Sequence, residues 1–276
     1  MDLSFILLTW NSREFIEPAI ESILAGLPND HSAEIFVVDN GSTDGTVEIL
    51  ESCRHRSPHV VHPIFLDSNQ GTTYPRNLAL RQAKGRYIVV MDSDVVVPSN
   101  TLKILKQAIN REDHVGLAAP RLLFPSGNLQ KSTDRFPTLW NKIYRYLFLR
   151  QIERREQCSR FLGPCEVDYA ISAFWMMPRR AVEAVGLLDE GFFYAPEDVD
   201  YCLRVWKAGF RILYVPDATA IHHTQELSRG FRLNQSTFWH IQGLVRYFQK
   251  HGYLFRRPRF DEAAEGVMAF PREKVC

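Results

Sequence analysis

Residues 85–94 are GRYIVVMDSD, in which an apolar run at 87–91 is followed directly by Asp92, Ser93 and Asp94. A short run of β-branched and aromatic residues between a glycine and polar residues predicts a buried β-strand. The two carboxylates then lie at the carboxyl end of that strand. Ligands of open α/β sheets bind outside the carboxyl ends of the strands. The stretch therefore predicts a mostly parallel sheet with a polar site at its edge.

Further strands and helices alternate around this strand. Strands are predicted at 3–8, 34–38 and 60–66, and helices at 15–25, 46–53 and 75–84. Pro75 in the first turn of the last helix and Gly85 just past its end are boundary signals. We therefore predict an α/β fold, with a Rossmann-like, mostly parallel central sheet flanked by helices.

The second half of the chain is less regular. It predicts helices at 99–110, 178–185 and 196–208, and strands at 115–124, 170–177 and 210–215. Gly186 and Gly209 are expected to end two of these helices. Because no repeat or linker is visible, we predict one domain over 1–228, followed by a helical extension over 229–276.

Composition excludes several classes of protein. The chain has 276 residues, and its 33 Lys and Arg nearly balance its 32 Asp and Glu, so no nucleic-acid partner is expected. The acidic Asp2 and a short apolar run argue against a secretory signal, and no stretch approaches the roughly 20 apolar residues of a membrane span. Five cysteines without a C-x-x-C pair predict a cytoplasmic protein with reduced thiols.

Two stretches combine basic and aromatic residues, at 131–155 and 227–260, and the second contains no acidic residue. This composition suits the headgroup layer of an anionic membrane. Ordinary amphipathic helices that pack on the core have the same composition. Both interpretations remain open at this point, and the first predicts peripheral contact with the inner face of the cell membrane.

Polar residues that could bind a ligand follow each predicted strand of the first half. They are Thr9 and Asn11, Asp39 in the loop DNGSTDGT, Asn69 and Gly71, Arg76, and the Asp92-Ser93-Asp94 run. Carboxylate oxygens are the ligands that Mg²⁺ and Mn²⁺ prefer, and a glycine-rich loop before a helix lets backbone N–H groups approach a polar ligand. Taken singly, each feature is equally well explained as a turn or a helix cap.

The second half contributes acids and histidines. Glu197, Asp198 and Asp200 lie within four residues at a predicted helix start, where they could cap the helix or supply a general base. His222 and His223 follow a strand, and a neutral imidazole is a competent ligand for Mn²⁺-like ions.

Five motifs occur in one order: VVDNGSTDGT (37–46), N-x-G-x4-RNLA (69–79), GRYIVVMDSD (85–94), FFYAPEDVDYCLR (192–204) and P-D-A-x3-H (216–222). Together they resemble family 2 glycosyltransferases of the GT-A fold, and within them the bacterial rhamnosyltransferase branch that builds cell-envelope polysaccharides. The resemblance covers roughly residues 3–250, and an ordered series is far more specific than one motif.

The resemblance implies an inverting glycosyltransferase that takes a sugar from a nucleoside diphosphate. Residues expected at the donor are Thr9, Asn11, Asp39, Asn69, Gly71, Arg76, Asp92 and Ser93. A divalent cation, Mg²⁺ or Mn²⁺, is expected on Asp92, Asp94 and one histidine: spacing from Pro216 selects His222, whereas spacing to Ser228 selects His223.

Asp198 matches the general base of the family, with Glu197 and Asp200 in support. The acceptor implied by the family is a glycan, or a lipid-linked glycan at the membrane. Arg76 follows Tyr74-Pro75 where the family more usually has a glycine-rich segment, which leaves the role of Arg76 open.

Two other functions fit a nucleotide-binding α/β fold. A sugar-1-phosphate nucleotidyltransferase would release pyrophosphate, but such enzymes usually carry a glycine-rich loop with basic residues near the amino terminus, and residues 9–12 do not form one. A non-catalytic subunit that binds a nucleotide sugar is the second alternative, because a fold alone does not establish chemistry.

Overall fold

The amino-terminal half alternates strands and helices in the predicted order. A computed structural model describes residues 1–27, 32–139, 163–224, 235–258 and 260. The elements of this half are β1 (Leu3–Thr9), α1 (Ile16–Gly26), β2 (Ala33–Asp39), α2 (Thr46–Arg56), β3 (Val61–Phe65), α3 (Thr73–Leu80) and β4 (Tyr87–Asp92). The four predicted strands are confirmed, and so is the expectation that the amino-terminal apolar run forms a buried strand.

One predicted boundary is wrong. Helix α3 ends at Leu80, not at 84, so Gly85 does not cap it. A Cβ atom on Gly85 would lie 2.5 Å from the Ser4 backbone nitrogen. Glycine is needed at this position because the chain passes close to β1, not because a helix ends there.

The carboxyl-terminal half begins with several short elements. They are β5 (Val95–Val96), α4 (Thr101–Asn110), β6 (Val115–Leu123), β7 (Leu129–Gln130), β8 (Thr133–Asp134), β9 (Cys165–Glu166) and β10 (Tyr169–Ala170). The predicted strand at 170–177 is in fact two strands, β10 and β11 (Phe174–Pro178). Helix α5 (Arg179–Val185) ends as predicted at Gly186, which has a positive φ of 81°.

The last elements are α6 (Glu197–Lys207), β12 (Arg211–His222) and α7 (Gln235–His251). Strand β12 is much longer than the predicted strand at 210–215. It reaches His222 only after a register irregularity between Val215 and Thr219.

The sheet is mixed. Its strand order is β3-β2-β1-β4-β11-β6-β12-β5. Strands β3, β2, β1 and β4 are parallel, β11 runs antiparallel between β4 and β6, and β12 is parallel to β6. The carboxyl ends of β1, β2 and β4 therefore lie along one edge, where the predicted donor-binding residues begin.

Both faces of the sheet are covered by helices, which explains why the central strands β1, β2, β4 and β11 are buried along almost their whole length. One apolar layer includes Ile20 of α1, Leu50 of α2 and Leu105 of α4. The opposite layer includes Leu203 of α6 and Tyr247 of α7, both with no exposed surface. The described part of the predicted carboxyl-terminal extension therefore packs on the core.

Among the described residues, none of the helices is long and apolar enough to cross a bilayer. Most of the basic and aromatic stretch at 131–155 lies outside the described residues, as do 227–234 and 259 of the second stretch.

Candidate active site

Strand pairing brings a histidine next to the aspartates that follow β4. His222 pairs with Val95 of β5, and the His223 backbone N–H donates to the Asp94 carbonyl over 2.9 Å. His222 Nε2 lies 3.2 Å from Asp94 Oδ1. One ligand atom each from Asp92, Asp94 and His222 lie within 4.8 Å of one another. The structure thus groups the three residue types that the sequence assigned to a cation.

The two histidines face different surroundings. The His222 ring is buried, and its Nδ1 lies 3.0 Å from Gln130 Oε1. An amide oxygen only accepts, so Nδ1 carries the proton and Nε2 faces the carboxylates. The ring of His223 instead lies 5.6 Å from that of Phe15. Of the two alternatives left open by the sequence, the geometry favours His222.

Charge raises the proton affinity of this imidazole. Burial opposes the charged form of His222, but the hydrogen bond and charge of Asp94 outweigh it and raise the pKa of His222. A divalent cation bound to Nε2 would take the place of that proton.

Arg76 connects the aspartates to the start of α6. Its guanidinium is 2% exposed and donates to Asp92 Oδ1 over 2.6 Å and to Glu197 Oε1 over 3.2 Å. Ser172 Oγ accepts from the same guanidinium over 3.1 Å. Burial is the main cause of a raised pKa of Asp92, and the charge of Asp94 adds to it while Arg76 opposes it. Arg76 thus lies in the predicted donor cleft, with its Nη atoms directed at protein carboxylates.

Asp198 lies at the same end of α6. Its side chain is half-buried, and its Oδ1 accepts from the Val199 backbone N–H over 2.8 Å. Tyr194 lies in acidic surroundings near Asp198. Burial raises the pKa of Tyr194, and the charges of Glu197, Asp92 and Asp198 add to this effect. The charge of the predicted base Asp198 therefore raises the pKa of the same tyrosine as the charges of Glu197 and Asp92 do.

The ends of β1 and β2 form the other part of the cleft. Asp39 is 1% exposed, and its Oδ2 accepts from the Ser42 backbone N–H over 3.0 Å. Asp39 Oδ1 and Thr9 Oγ1 are buried without a hydrogen-bond partner among the described residues. Such atoms are costly unless a ligand or water satisfies them.

Asn11 and Asn69 shape the loops beside Asp39. Asn11 has a positive φ of 50°, and its Oδ1 accepts from the Thr43 backbone N–H over 2.9 Å. Asn69 Oδ1 accepts from the Gly71 backbone N–H over 2.9 Å. Gly71 has a φ of 81°, and a Cβ atom there would overlap the carbonyl oxygen of Phe193. Ser93 is also buried, and its Oγ donates to Ser12 Oγ over 3.0 Å.

Asp200 lies in a different cluster from its neighbours in sequence. It has no exposed surface, and its carboxylate pairs with Lys250 at 2.6 Å, His251 at 2.8 Å and Arg204 at 2.9 Å. Its contacts hold α7 against α6. The structure therefore places this predicted supporting residue away from Arg76 and the two aspartates.

Three residues that contact the site residues or lie beside them were not among the predicted site residues. Gln130 contacts His222, Ser172 bonds Arg76 and Glu197, and Tyr194 lies beside the carboxylates. Tyr194 falls in an aromatic loop whose composition is visible in the sequence. Nothing local marks Gln130 or Ser172, because their roles depend on strands that pair across the sheet.

The sequence is similar to those of known glycosyltransferases. The model of the family "Glycosyl transferase family 2" matches residues 4–186. N-acetylglucosaminyl-diphospho-decaprenol L-rhamnosyltransferase of Mycobacterium tuberculosis is 28% identical over 87% of this chain and 83% of its own length. The rhamnosyltransferase WbbL of Escherichia coli is 23% identical over 91% of this chain and 94% of its own length.

The fold is also found among solved structures. The structure of GalNAc-T7 with UDP, GalNAc and Mn²⁺ superposes with a TM-score of 0.69 at 17% identity, over 90% of this chain and 48% of that one. This chain therefore spans about half the length of that protein. The likeness identifies the fold as GT-A, as predicted.

Proposed function

Because the chain belongs to glycosyltransferase family 2 and has rhamnosyltransferases among its relatives, we propose that it transfers a sugar, with rhamnose as the first candidate, from a nucleoside diphosphate to a glycan hydroxyl. We further propose that the transfer inverts the anomeric centre and requires a divalent cation. The observation that carries the proposal is the grouping of Asp92, Asp94 and His222, which Arg76 connects to Glu197 at the start of α6.

The proposed cation ligands are Asp94 and His222, with Asp92 beside them. Two carboxylates and an imidazole nitrogen suit Mn²⁺ or Mg²⁺, and one guanidinium does not balance the three acids of the cleft. The relative GalNAc-T7 was solved with Mn²⁺. When bound, such an ion supplies positive charge that stabilises the leaving diphosphate.

Asp39 and Thr9 are the proposed contacts of the nucleoside. Their buried oxygens, which have no hydrogen-bond partner in the part of the chain that the structure describes, lie at adjacent strand ends, where N–H and O–H groups of a base and ribose would satisfy them. Asn11, Asn69, Gly71 and Ser93 shape the adjoining loops. For Arg76 we propose a positioning role, because its guanidinium holds Asp92 and Glu197 in fixed orientations.

Asp198 is the proposed general base. It accepts the proton of the acceptor hydroxyl as that oxygen attacks the anomeric carbon, and the bond from this carbon to the diphosphate oxygen breaks on the opposite side. A single displacement inverts the configuration and needs no covalent enzyme intermediate. Glu197 supports the base through its ion pair with Arg76.

We propose a lipid-linked glycan as acceptor, at the inner face of the cell membrane. The name of the M. tuberculosis relative describes a lipid-linked acceptor of that protein. In this chain, α7 exposes Phe238, Ile241 and Val245 at 62%, 55% and 51%, and these positions share one side of the helix. The absence of acids at 227–260 makes the region compatible with anionic lipid.

A thermal-shift screen tests the donor proposal. Wild-type protein is heated with dTDP, UDP and GDP sugars, each with and without Mn²⁺. A donor at about 100 times its Kd adds about 2.7 kcal/mol to stability, so one nucleotide should raise Tm only when the metal is present. Asp94→Ala, under the same conditions, should abolish the metal-dependent part of the shift.

The released product separates this proposal from the other two functions. Transfer yields a nucleoside diphosphate, whereas a nucleotidyltransferase releases pyrophosphate. A donor that binds with metal but is never consumed would support the non-catalytic binder. If no nucleotide changes Tm with any metal, the donor proposal is wrong.

Membrane contact is tested by co-sedimentation with phosphatidylglycerol vesicles. Deletion of α7 would remove the buried Tyr247, so point variants are preferable. Phe238→Ser combined with Ile241→Ser and Val245→Ser should reduce sedimentation without loss of fold. Unchanged sedimentation of this variant, together with insensitivity to salt, would refute the contact.

A further inference from the structure

Three aromatic side chains are grouped between Gly71 and the residues that precede α6. They are Phe193 and Tyr194, which are 37% and 38% exposed, and the half-buried Trp239 at the start of α7. The Phe193 and Trp239 rings stack with centroids 4.6 Å apart. We call these three residues the aromatic wall. Large exposed aromatic side chains grouped beside a polar cleft are typical of binding surfaces.

The aromatic wall is held in place from the donor side. The Phe193 carbonyl accepts from the Thr72 backbone N–H over 2.8 Å, and the Phe192 carbonyl accepts from Thr73 Oγ1 over 2.7 Å. Asn77 of α3 bonds both the N–H and the carbonyl of Leu188, over 3.0 Å and 2.9 Å. The loop that carries Phe193 and Tyr194 is therefore bonded to the same turn and helix that bear Gly71 and Arg76.

The aromatic wall is also held in place by α7, on its carboxyl-terminal side. Gly243 of α7 approaches so closely that a Cβ atom there would overlap the Ala195 carbonyl oxygen. This contact fixes the start of α7, and Trp239 with it, against the residues just before Glu197. The aromatic wall is thus a prearranged surface, and two of its residues, Phe193 and Trp239, are 46 positions apart in the chain.

Resting on the function proposed above, we propose that Phe193, Tyr194 and Trp239 bind the pyranose ring of the acceptor sugar that presents its hydroxyl to Asp198. A pyranose has a face of C–H bonds, which packs well on the electron-rich face of an aromatic ring. Its hydroxyls at the ring edge need polar partners. Tyr194, which is 38% exposed, and the half-buried Asp198 at the start of α6 offer them.

A sugar explains this combination better than a lipid tail does. A hydrocarbon chain would gain from the rings but would remove water from the half-buried Asp198 carboxylate without giving it a hydrogen-bond partner. The exposed apolar residues of α7 are Phe238, Ile241 and Val245. The first of them is next to the aromatic wall, since the Phe238 and Trp239 rings lie 5.6 Å apart. A lipid-linked acceptor would therefore place its sugar on the wall and its lipid further along α7.

Saturation-transfer NMR tests the wall with small probes. The probes are the methyl glycosides of glucose, N-acetylglucosamine and rhamnose, added to wild-type protein that is saturated with the nucleotide found in the thermal screen. At least one glycoside should receive saturation at its ring C–H protons. Trp239→Leu and Phe193→Leu should each weaken its binding about fivefold, which is the loss expected for one stacked ring.

Phe255→Leu is the matched control. Phe255 is 59% exposed and lies beyond the far end of α7, which is about 18 Å from Trp239 at about 1.5 Å per helical residue. This variant should leave glycoside binding unchanged. Trp239→Phe should restore most of the binding lost in Trp239→Leu, which a merely structural loss would not predict.

Two results would overturn the inference. One is the absence of saturation transfer to every glycoside in wild-type protein that binds nucleotide. The other is weakened nucleotide binding, with glycoside binding unchanged, in the Trp239 and Phe193 variants, which would assign the wall to the donor. Failure of nucleotide to bind wild-type protein at all is a separate result and refutes the proposed function instead.

Discussion

Two clusters of acidic residues each include a residue from the first turn of α6, Glu197 in one and Asp200 in the other, and the two clusters differ in charge balance. In the cleft cluster, Asp92, Asp94 and Glu197 share one guanidinium, that of Arg76, and the imidazole of His222. In the second cluster, which we call the clamp, Asp189 and Asp200 share the cations of Arg204, Arg246 and Lys250 and the imidazole of His251. Acids are in excess in the cleft cluster, and cations are in excess in the clamp.

The pKa shifts follow this balance. Burial raises the pKa of Asp92, and the charge of Asp94 adds to it. Burial acts in the same direction on Asp200, but hydrogen bonds from His251 and Lys250 outweigh it and lower the pKa of Asp200. Carboxylates in excess are available to an added cation, whereas carboxylates surrounded by cations serve to join α6 to α7. Acidic residues on the same helix thus have two different roles: some are available to a cation, and others join α6 to α7. The following experiments test this difference between the two clusters.

The largest expected effect is that of Asp198→Asn on turnover. The amide cannot accept the acceptor proton, and a general base contributes about 10²- to 10⁴-fold to a rate. The transfer rate should fall by about that factor, while nucleotide affinity changes little. Single-turnover transfer and calorimetric nucleotide titration measure the two quantities separately.

Asp200→Asn is the matched control, since it is the same change two positions along α6. It removes the buried carboxylate that pairs with Arg204 and His251 and one of the two carboxylates that pair with Lys250, so we expect a loss of about 3 kcal/mol in the free energy of unfolding. Well below its melting temperature, this variant should retain most of its transfer rate. Equal kinetic losses in both variants would contradict the separation of the two clusters.

The next largest effect is expected for His222→Ala. Loss of an outer partner of a metal ligand typically lowers metal affinity 10- to 100-fold, and loss of the ligand itself should cost at least as much. Metal-dependent nucleotide binding should therefore weaken about 100-fold. His223→Ala is the control, because its ring faces Phe15. Titrations with Mn²⁺ at fixed nucleotide measure both, and a larger effect of His223 would reverse the assignment.

This pair of histidines also shows where prediction from the sequence stops. The strands ending at Asp39 and Asp92 are visible as local apolar runs, and the D-x-D pair follows directly from one of them. Which histidine faces the aspartates depends on β12. The register irregularity between Val215 and Thr219 changes which side of the strand each later residue faces.

Asp200 illustrates a second limit. In sequence it belongs to a group with Glu197 and Asp198, and the predicted role in support of catalysis follows from that proximity. Its partners Lys250 and His251 are about 50 residues away, and no local pattern pairs them with it. The composition of 227–260 predicted a basic helix. Only tertiary packing determines that Lys250 and His251 of this helix pair with Asp200 of α6.

A smaller effect is expected for Gln130→Leu. Leucine has a similar size but cannot accept the Nδ1 proton of His222, so the ring loses the partner that fixes its orientation. Metal-dependent nucleotide binding should weaken about tenfold, at the low end for an outer partner of a metal ligand. Gln130→Glu, which retains an acceptor, should restore part of the affinity. A Leu variant with wild-type metal affinity would show that His222 is oriented by packing alone.

The smallest effect is expected for the pH dependence of the clamp. Hydrogen bonds from Lys250 and Arg246 outweigh burial and hold the pKa of Asp189 well below its usual value. The unfolded chain therefore binds the proton more readily, so this stabilisation is complete above the unfolded pKa near 3.8 and is lost as pH falls through the folded pKa. Asp189→Asn should reduce the acid slope of unfolding free energy by at most about 1.4 kcal/mol per pH unit.

Urea unfolding between pH 5 and pH 2.5, at low and high salt, measures that slope. The partners Arg246 and Lys250 are 45% and 31% exposed, so solvent screening should keep the total contribution below about 1 kcal/mol, and salt should reduce it further. Asp217→Asn, at an exposed position of β12, is the control and should leave the slope unchanged. If Asp189→Asn and wild type lose stability in parallel, Asp189 does not contribute to the clamp, and Asp200 alone joins α6 to α7 through charge.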